Sequence, residues 1–134
     1  KSMKQQINPK WSAEIMWAYS HALKVDIWDS EIIFVTGQIA MDNEWNAVAP
    51  DNIEKQTEFV FESIKNILIE ANSWLGDIVK VVIYVTDMND FSKISPIRNK
   101  YLKNSKPVST LVEISKTVKE WCDIEIDVTI VKKK

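Results

Sequence analysis

The residues best able to do chemistry in this chain are carboxylates and hydroxyls set in alternating, β-type sequence. Pro107-Val108-Ser109-Thr110-Leu111-Val112-Glu113 puts Ser109, Leu111 and Glu113 on one face of a strand. Ile124-Glu125-Ile126-Asp127 puts Glu125 and Asp127 on the face opposite the isoleucines. Read as partner strands, the two bring these carboxylates onto a shared face. Carboxylates on a sheet face that must be covered are costly unless they are paired or line a wet cleft. A polar cleft at a subunit boundary is one reading, and pairing with lysines such as Lys80 or Lys116 is the other. Thr36-Gly37-Gln38-Ile39 ends a β-branched strand with a glycine, which suits a bulge or the close approach of a backbone or ligand.

Sharper signatures are absent from the sequence: no phosphate-binding loop, glycine-rich dinucleotide turn, zinc spacing or serine elbow. His21 is the only histidine, which excludes histidine metal clusters, and it reads as a strand residue before it reads as a base. Cys122, the single cysteine, has no basic neighbour and reads as a small packed hydrophobe. The six tryptophans, at 11, 17, 28, 45, 74 and 121, show no periodicity. They read as packing residues, with a ligand cleft or subunit seam as the alternative. No cofactor and no metal is expected.

Two helices must position these groups. Asp51 with Glu54 three residues on reads as an acidic cap, followed by Ile53, Thr57, Val60, Ile64, Ile67, Leu68 and Ala71 at helical spacing. Asn72 stands where a left-handed cap ends a helix. Ser95-Pro96 reads as the start of the second helix, a hydroxyl cap followed by proline at the first helical position. Strands are expected over 22–28, 31–36, 78–86, 108–114 and 124–131, with a further edge strand over 3–7. Asp29-Ser30 would close one hairpin, and the stretch 115–123 would join the last two strands as another. The order predicts an α+β fold: a mixed sheet with both helices on one face, in one domain over 1–134.

Bulk properties narrow the class. A chain of 134 residues with 46% hydrophobic content and only 2 glycines is of ordinary domain size. A net charge of -2 supplies no positive field for nucleic acid or anionic lipid, so nucleic acid is not an expected partner. The lone cysteine and the lack of a spanning or signal-like apolar run predict a cytoplasmic protein. Ile78 to Val85 and Ile32 to Val35 are apolar on both faces, yet two helices can cover only one. A bare second face would exceed the apolar patch a soluble monomer tolerates, so self-association through the sheet follows. The alternative is a long N-terminal segment folded over that face.

Several words in fixed order resemble the RidA/YjgF family of reactive-intermediate deaminases. Val35-Thr36-Gly37-Gln38-Ile39 resembles its V-S-G-Q-I/V, Glu54-Lys55-Gln56-Thr57 its E-x-Q-T, and Asp77-Ile78-Val79-Lys80 its D-V-V-K. Thr86-Asp87-Met88-Asn89-Asp90-Phe91 is similar to T-D-M-x-D-F, and 107–113 and 124–127 resemble P-A-R-S-x-V-E and V-E-I-E. The match runs from Tyr19 to Val131. It implies a chorismate-mutase-like fold, a homotrimer whose sheets surround a central barrel, and clefts between subunits for a small molecule.

The best-known members hydrolyse enamines and imines derived from amino acids, releasing ammonia and a keto acid. The resemblance assigns Glu125 as the catalytic residue that orients water, and Tyr19 and Gly37 as ligand-binding residues. The arginine of P-A-R-S, which grips a substrate carboxylate, is replaced by Ser109; Arg98, the only arginine, does not match. Ser109 and Thr110 would instead bind a neutral polar group, and Ser95 stands where the family has a helix-cap asparagine. The resemblance therefore implies a hydrolase-like trimer of altered specificity. A non-catalytic ligand-binding or scaffold protein is the alternative, and a ribonuclease or translation inhibitor a third.

Overall fold

The computed structural model describes residues 3–134, and every strand in it belongs to a single sheet. In chain order the elements are β1 (Lys4–Ile7), β2 (Ala22–Ile27), β3 (Ser30–Ile39), α1 (Ile53–Glu70), β4 (Ile78–Val85), α2 (Phe91–Leu102), β5 (Val108–Glu113) and β6 (Ile124–Lys133). The spatial order is β1-β2-β3-β6-β4-β5. All neighbours are antiparallel except β4 and β5, which run parallel with α2 as their crossover. The mixed sheet, its two helices and the edge strand at the N-terminus agree with the sequence-based expectation.

The expected pairing of the last two strands is corrected. β5 lies against β4, while β6 inserts between β3 and β4. The connection between β5 and β6 is too long for a tight hairpin, and it carries the chain past β4 to the middle of the sheet. Ser109 is thus in register with Val81 on the helix side, where Leu111 packs against the core. Glu125 and Asp127 lie on the opposite face beside Tyr84 and Val82, a face that Thr110 shares through its register with Val82. The single face expected to hold Ser109 and all the carboxylates does not exist.

Helix α1 forms where the apolar stripe predicts it. Its expected residues Ile53, Thr57, Val60, Ile64, Ile67 and Leu68 are all buried. The cap is Asn52, not Asp51: its side chain accepts from the Lys55 N–H at 3.0 Å, and Asp51 takes a left-handed φ of 62° one residue earlier. At the other end Asn72 has φ 59°, and the Ser73 and Asn72 N–H groups return to the Leu68 and Ile69 carbonyls at 2.8 and 3.0 Å. That double bond pattern is a Schellman ending, which satisfies carbonyls the helix itself leaves open.

The start of α2 also differs from expectation. Asp87 accepts from the Asn89 N–H at 2.9 Å and caps a 3-10 turn, Met88–Asp90, that leads directly into the helix at Phe91. Ser95 and Pro96 therefore fall inside α2. Ser95 is not a cap; its hydroxyl accepts from Arg98 Nη2 at 3.3 Å. The upstream turn supplies the nucleus, so the serine-proline signal was not needed to begin the helix.

The core lies between α1 and the sheet. Phe61, Ile64 and Leu68 meet Ile33, Ile83, Ile126 and Ile130, all fully buried. Each such side chain contributes about 1.5–3 kcal/mol by leaving water. The opposite sheet face has no such cover. Phe34 stands at its centre between Leu23 and Thr129 and is 47% exposed, with Val131 and Val112 also open. The N-terminal β1 joins the sheet edge at β2 and leaves Phe34 open.

Candidate functional site

The site begins where β2 stops and β3 continues. The β2 register ends at Ala22 opposite Val35, and β3 then bulges, its pairing to β6 shifting between Val35 and Gln38. Thr36 fastens the bulge: its N–H donates to the His21 carbonyl at 2.8 Å and its hydroxyl to the Ser20 carbonyl at 2.5 Å. Beyond it Ile39 faces Glu125 across the ladder. The Glu125 side chain folds back over Gly37, where an added β-carbon would meet Oε2 at 2.2 Å. Gly37 does not have a positive φ, so clearance for this carboxylate is what a larger residue would lose.

His21 holds the preceding loop in place. Its Nε2 lies 2.8 Å from the Ala13 carbonyl, and its backbone N–H donates to Asn8 Oδ1 at 2.8 Å. A carbonyl only accepts, so Nε2 carries the proton in that contact, leaving Nδ1 to face Gln38 Nε2 at 3.5 Å. Gln38 also donates to the Thr36 carbonyl at 3.0 Å. The imidazole links loop to bulge, a positioning role in place of the strand role expected; His21 sits just before β2.

That loop, the β3–α1 connection, α1 and the β5–β6 connection border an open cavity of about 610 Å³. Trp11, Trp17, Tyr19, Trp45 and Phe59 line it, with Gly37 and Glu125 also in the wall. Trp17 and Trp45 meet edge to face, centroids 5.7 Å apart at 79°. Trp45 is presented by a tight turn in which Asp42 Oδ1 accepts from the Glu44 and Asn46 N–H groups at 2.9 and 3.0 Å. Three tryptophans that show no spacing pattern in sequence are thus gathered by two loops. Only the tertiary arrangement reveals this wall.

The floor is electrostatically unusual. Burial raises the Glu125 carboxyl above its ordinary value, and the charge of Asp127 raises it further. The Tyr84 phenol beside it is raised as well, first by burial and then by Asp127. A carboxyl held nearer neutrality is better matched to taking and returning a proton.

Of the expected site residues, Tyr19, Gly37 and Glu125 line this cavity. Ser109 and Thr110 lie exposed on the edge strand β5, and Ser95 is half-buried on α2; none of the three lines it. A smaller recess of about 390 Å³ gathers Asp51, Asp87, Asp90 and Asp123 with Lys93. Among the described residues no group of three or more side chains is arranged to hold a metal ion, and no helix is long and apolar enough to cross a membrane.

Comparison with known proteins covers nearly all of these elements. The sequence profile of the family described as Endoribonuclease L-PSP matches residues 12–132. A RutC family protein of Pyrococcus abyssi is 42% identical over 102 residues, 76% of this chain and 77% of that protein. Another RutC family protein, from Saccharolobus solfataricus, is 33% identical across 98% of this chain and 99% of its own. The crystal structure of a protein of unknown function in the conserved Rid family, from Yersinia pestis, superposes with a TM-score of 0.83 at 29% identity, covering 95% and 98% of the two chains.

Proposed function

The chain belongs to the RidA/YjgF family, described as Endoribonuclease L-PSP and including the RutC and Rid proteins, and from that premise we propose a cytoplasmic homotrimer that hydrolyses small enamine- or imine-like compounds in clefts between subunits. One observation carries this reading: Glu125, with its raised pKa, lies over Gly37 in the wall of an open aromatic cavity. In the reaction Glu125 takes a proton from water as the oxygen attacks the C=N carbon. It returns that proton to nitrogen, and as the C–N bond breaks it takes the remaining hydroxyl proton of the addition intermediate and passes it to the departing nitrogen, so that a protonated imine and water leave a carbonyl compound and ammonium. Tyr19 offers a hydroxyl at the cavity wall.

Ser95, Ser109 and Thr110 do not line the cavity of their own chain, so a cleft using both sets is shared between copies. The half-exposed Phe34 face supports such assembly. With Ser109 in place of a guanidinium, a ligand carboxylate loses a charge-assisted partner worth about 1.5–3 kcal/mol per hydrogen bond. Compounds without a carboxylate are therefore the preferred substrates. RNA cleavage, which the family description names, finds little support in a chain of net charge -2.

The test is ammonia release from a set of freshly generated imines, with and without a carboxylate, by the full chain and by Glu125→Ala. Release that the substitution abolishes supports the hydrolase. No release from any of them favours the non-catalytic ligand-binding or scaffold alternative.

A further inference from the structure

Resting on the reading that the Glu125 cavity is the ligand site, we infer that it selects a small organic cation, an iminium or ammonium group carried on an apolar body. The first argument is the wall. Trp11, Trp17, Tyr19 and Trp45 come from two separate loops to surround one space, and the ring faces of tryptophan and tyrosine attract cations. Trp17 and Trp45 pack edge to face, which fixes the two rings against each other in the wall.

The second argument is the charge inventory. Glu125, Asp42, Lys119 and His21 are the titratable groups of the wall besides Tyr19. Asp42 is partly committed to backbone N–H groups at 2.9 and 3.0 Å, and His21 to Ala13 and Gln38. Asp127 lies on the same sheet face as Glu125 and adds its negative charge. Among the described residues of the wall Lys119 is the only lysine or arginine, against two carboxylates.

The third argument is that the Glu125 carboxylate is open to a ligand. No donor among the described residues hydrogen-bonds the Glu125 carboxylate, although it is held against Gly37 in a half-buried setting. A partly desolvated carboxylate is stabilised by an opposite charge placed beside it. A protonated imine nitrogen in the cavity supplies that charge and at the same time brings its electrophilic carbon near Glu125. A ligand carboxylate in the same place would face two like charges.

Three probes of similar shape and different charge test this on the full chain: 2-phenylethylammonium, 2-phenylethanol and 3-phenylpropanoate, each titrated by calorimetry. The ammonium is expected to bind on the order of tenfold tighter than the alcohol, and the alcohol tighter than the propanoate. Glu125→Gln should erase the preference for ammonium over alcohol, and Trp17→Ala should weaken the ammonium. Lys119→Met should not weaken it. Equal or tighter binding of the propanoate, no binding of any probe, or a preference that survives Glu125→Gln overturns the inference. Ammonium preference without ammonia release from any imine would overturn the hydrolase alone. Ammonia release from imines without a carboxylate, with no ammonium preference among the probes, would overturn the cation site alone.

Discussion

Glu125 occupies space that any side chain on Gly37 would need: a β-carbon there would stand 2.2 Å from Oε2 and 2.8 Å from the carboxyl carbon. The two residues belong to neighbouring strands, where β3 has just bulged and re-entered register with β6. Gly37→Ala must therefore displace the carboxylate. The backbone at Gly37 is ordinary for an L-residue, so folding should suffer little. We predict a melting temperature within a few degrees of wild type and a loss of imine hydrolysis on the order of tenfold to a hundredfold, the range a misplaced reacting group produces. Thermal denaturation and ammonia release measured on one preparation would check both halves; loss of fold with no separable activity effect would contradict the steric account.

This relationship was half legible in the sequence. A glycine ending a β-branched strand signals a bulge or a close approach, and both occur, but the approaching group is a side chain 88 positions away in sequence, as the numbers 37 and 125 show. The α1 face was legible because its apolar spacing and its burial have the same cause. The β5–β6 pairing was misread because alternation fixes which residues share a face of one strand and says nothing about its neighbour. The tryptophan wall was invisible for a related reason. Trp11, Trp17 and Trp45 lie on irregular segments, where spacing carries no positional information.

Burial and Asp127 raise the Glu125 pKa above its ordinary 4.5, which fixes the direction of two pH effects. A group with a raised folded pKa contributes stability that is full below its unfolded value and lost as pH rises through the folded one. Glu125→Gln removes that loss. The variant should gain melting temperature relative to wild type as pH rises from about 4.5, with the gain levelling once wild-type Glu125 is ionised. Hydrolysis by wild type should rise with pH through an apparent pKa above the ordinary glutamate range, because the base must be ionised. A difference in melting temperature that stays constant from pH 4 to pH 8 would contradict the burial argument.

Gln56 is fully buried and joins three segments. Its Nε2 donates to the Trp121 and Val48 carbonyls at 2.6 and 3.1 Å, and its Oε1 accepts from the Asp123 N–H at 2.9 Å. These bonds fix the entry to β6, and with it the strand that carries Glu125. Gln56→Ala would orphan three backbone groups at once. A cost of about 3 kcal/mol is expected, on the scale of unsatisfied buried polar groups, or a fall in melting temperature of roughly 10 °C for a domain of this size. Urea denaturation would measure it, and a cost below about 1 kcal/mol would mean that water replaces the amide.

The Tyr101 hydroxyl donates to Glu62 Oε2 at 2.6 Å while the tyrosine ring stacks on Phe61, centroids 4.9 Å apart, so this contact ties α2 to α1. The hydrogen bond from Tyr101 and then Lys65 hold the Glu62 carboxyl below its ordinary value. A depressed folded pKa contributes stability that is present above the unfolded value and lost as pH falls through the folded one. Tyr101→Phe keeps the stack and removes the hydroxyl. It should cost about 1 kcal/mol near neutral pH, modest because Glu62 is partly open to water. The cost should shrink as the pH is lowered through the carboxylate range. A cost that is the same at pH 3 and pH 7 would assign it to packing instead.

Phe34 tests the assembly. It lies in the middle of the uncovered sheet face, opposite Leu23 on one side and Thr129 on the other, with Ile32 and Val131 in the adjacent row. A lysine there would place a charge at the centre of a surface that a trimer would bury, where an unpaired charge is heavily penalised. It would cost a monomer little, because Phe34 is already half exposed. Phe34→Lys should therefore dissociate the assembly into chains of 15.5 kDa that keep their secondary structure. Wild type should scatter light as a particle of about three times that mass. Hydrolysis should fall with the loss of the trimer if Ser109 and Thr110 reach the Glu125 cavity only from a neighbouring copy. Light scattering and circular dichroism on both proteins decide the matter, and a wild-type monomer at micromolar concentration would remove the ground for a shared cleft.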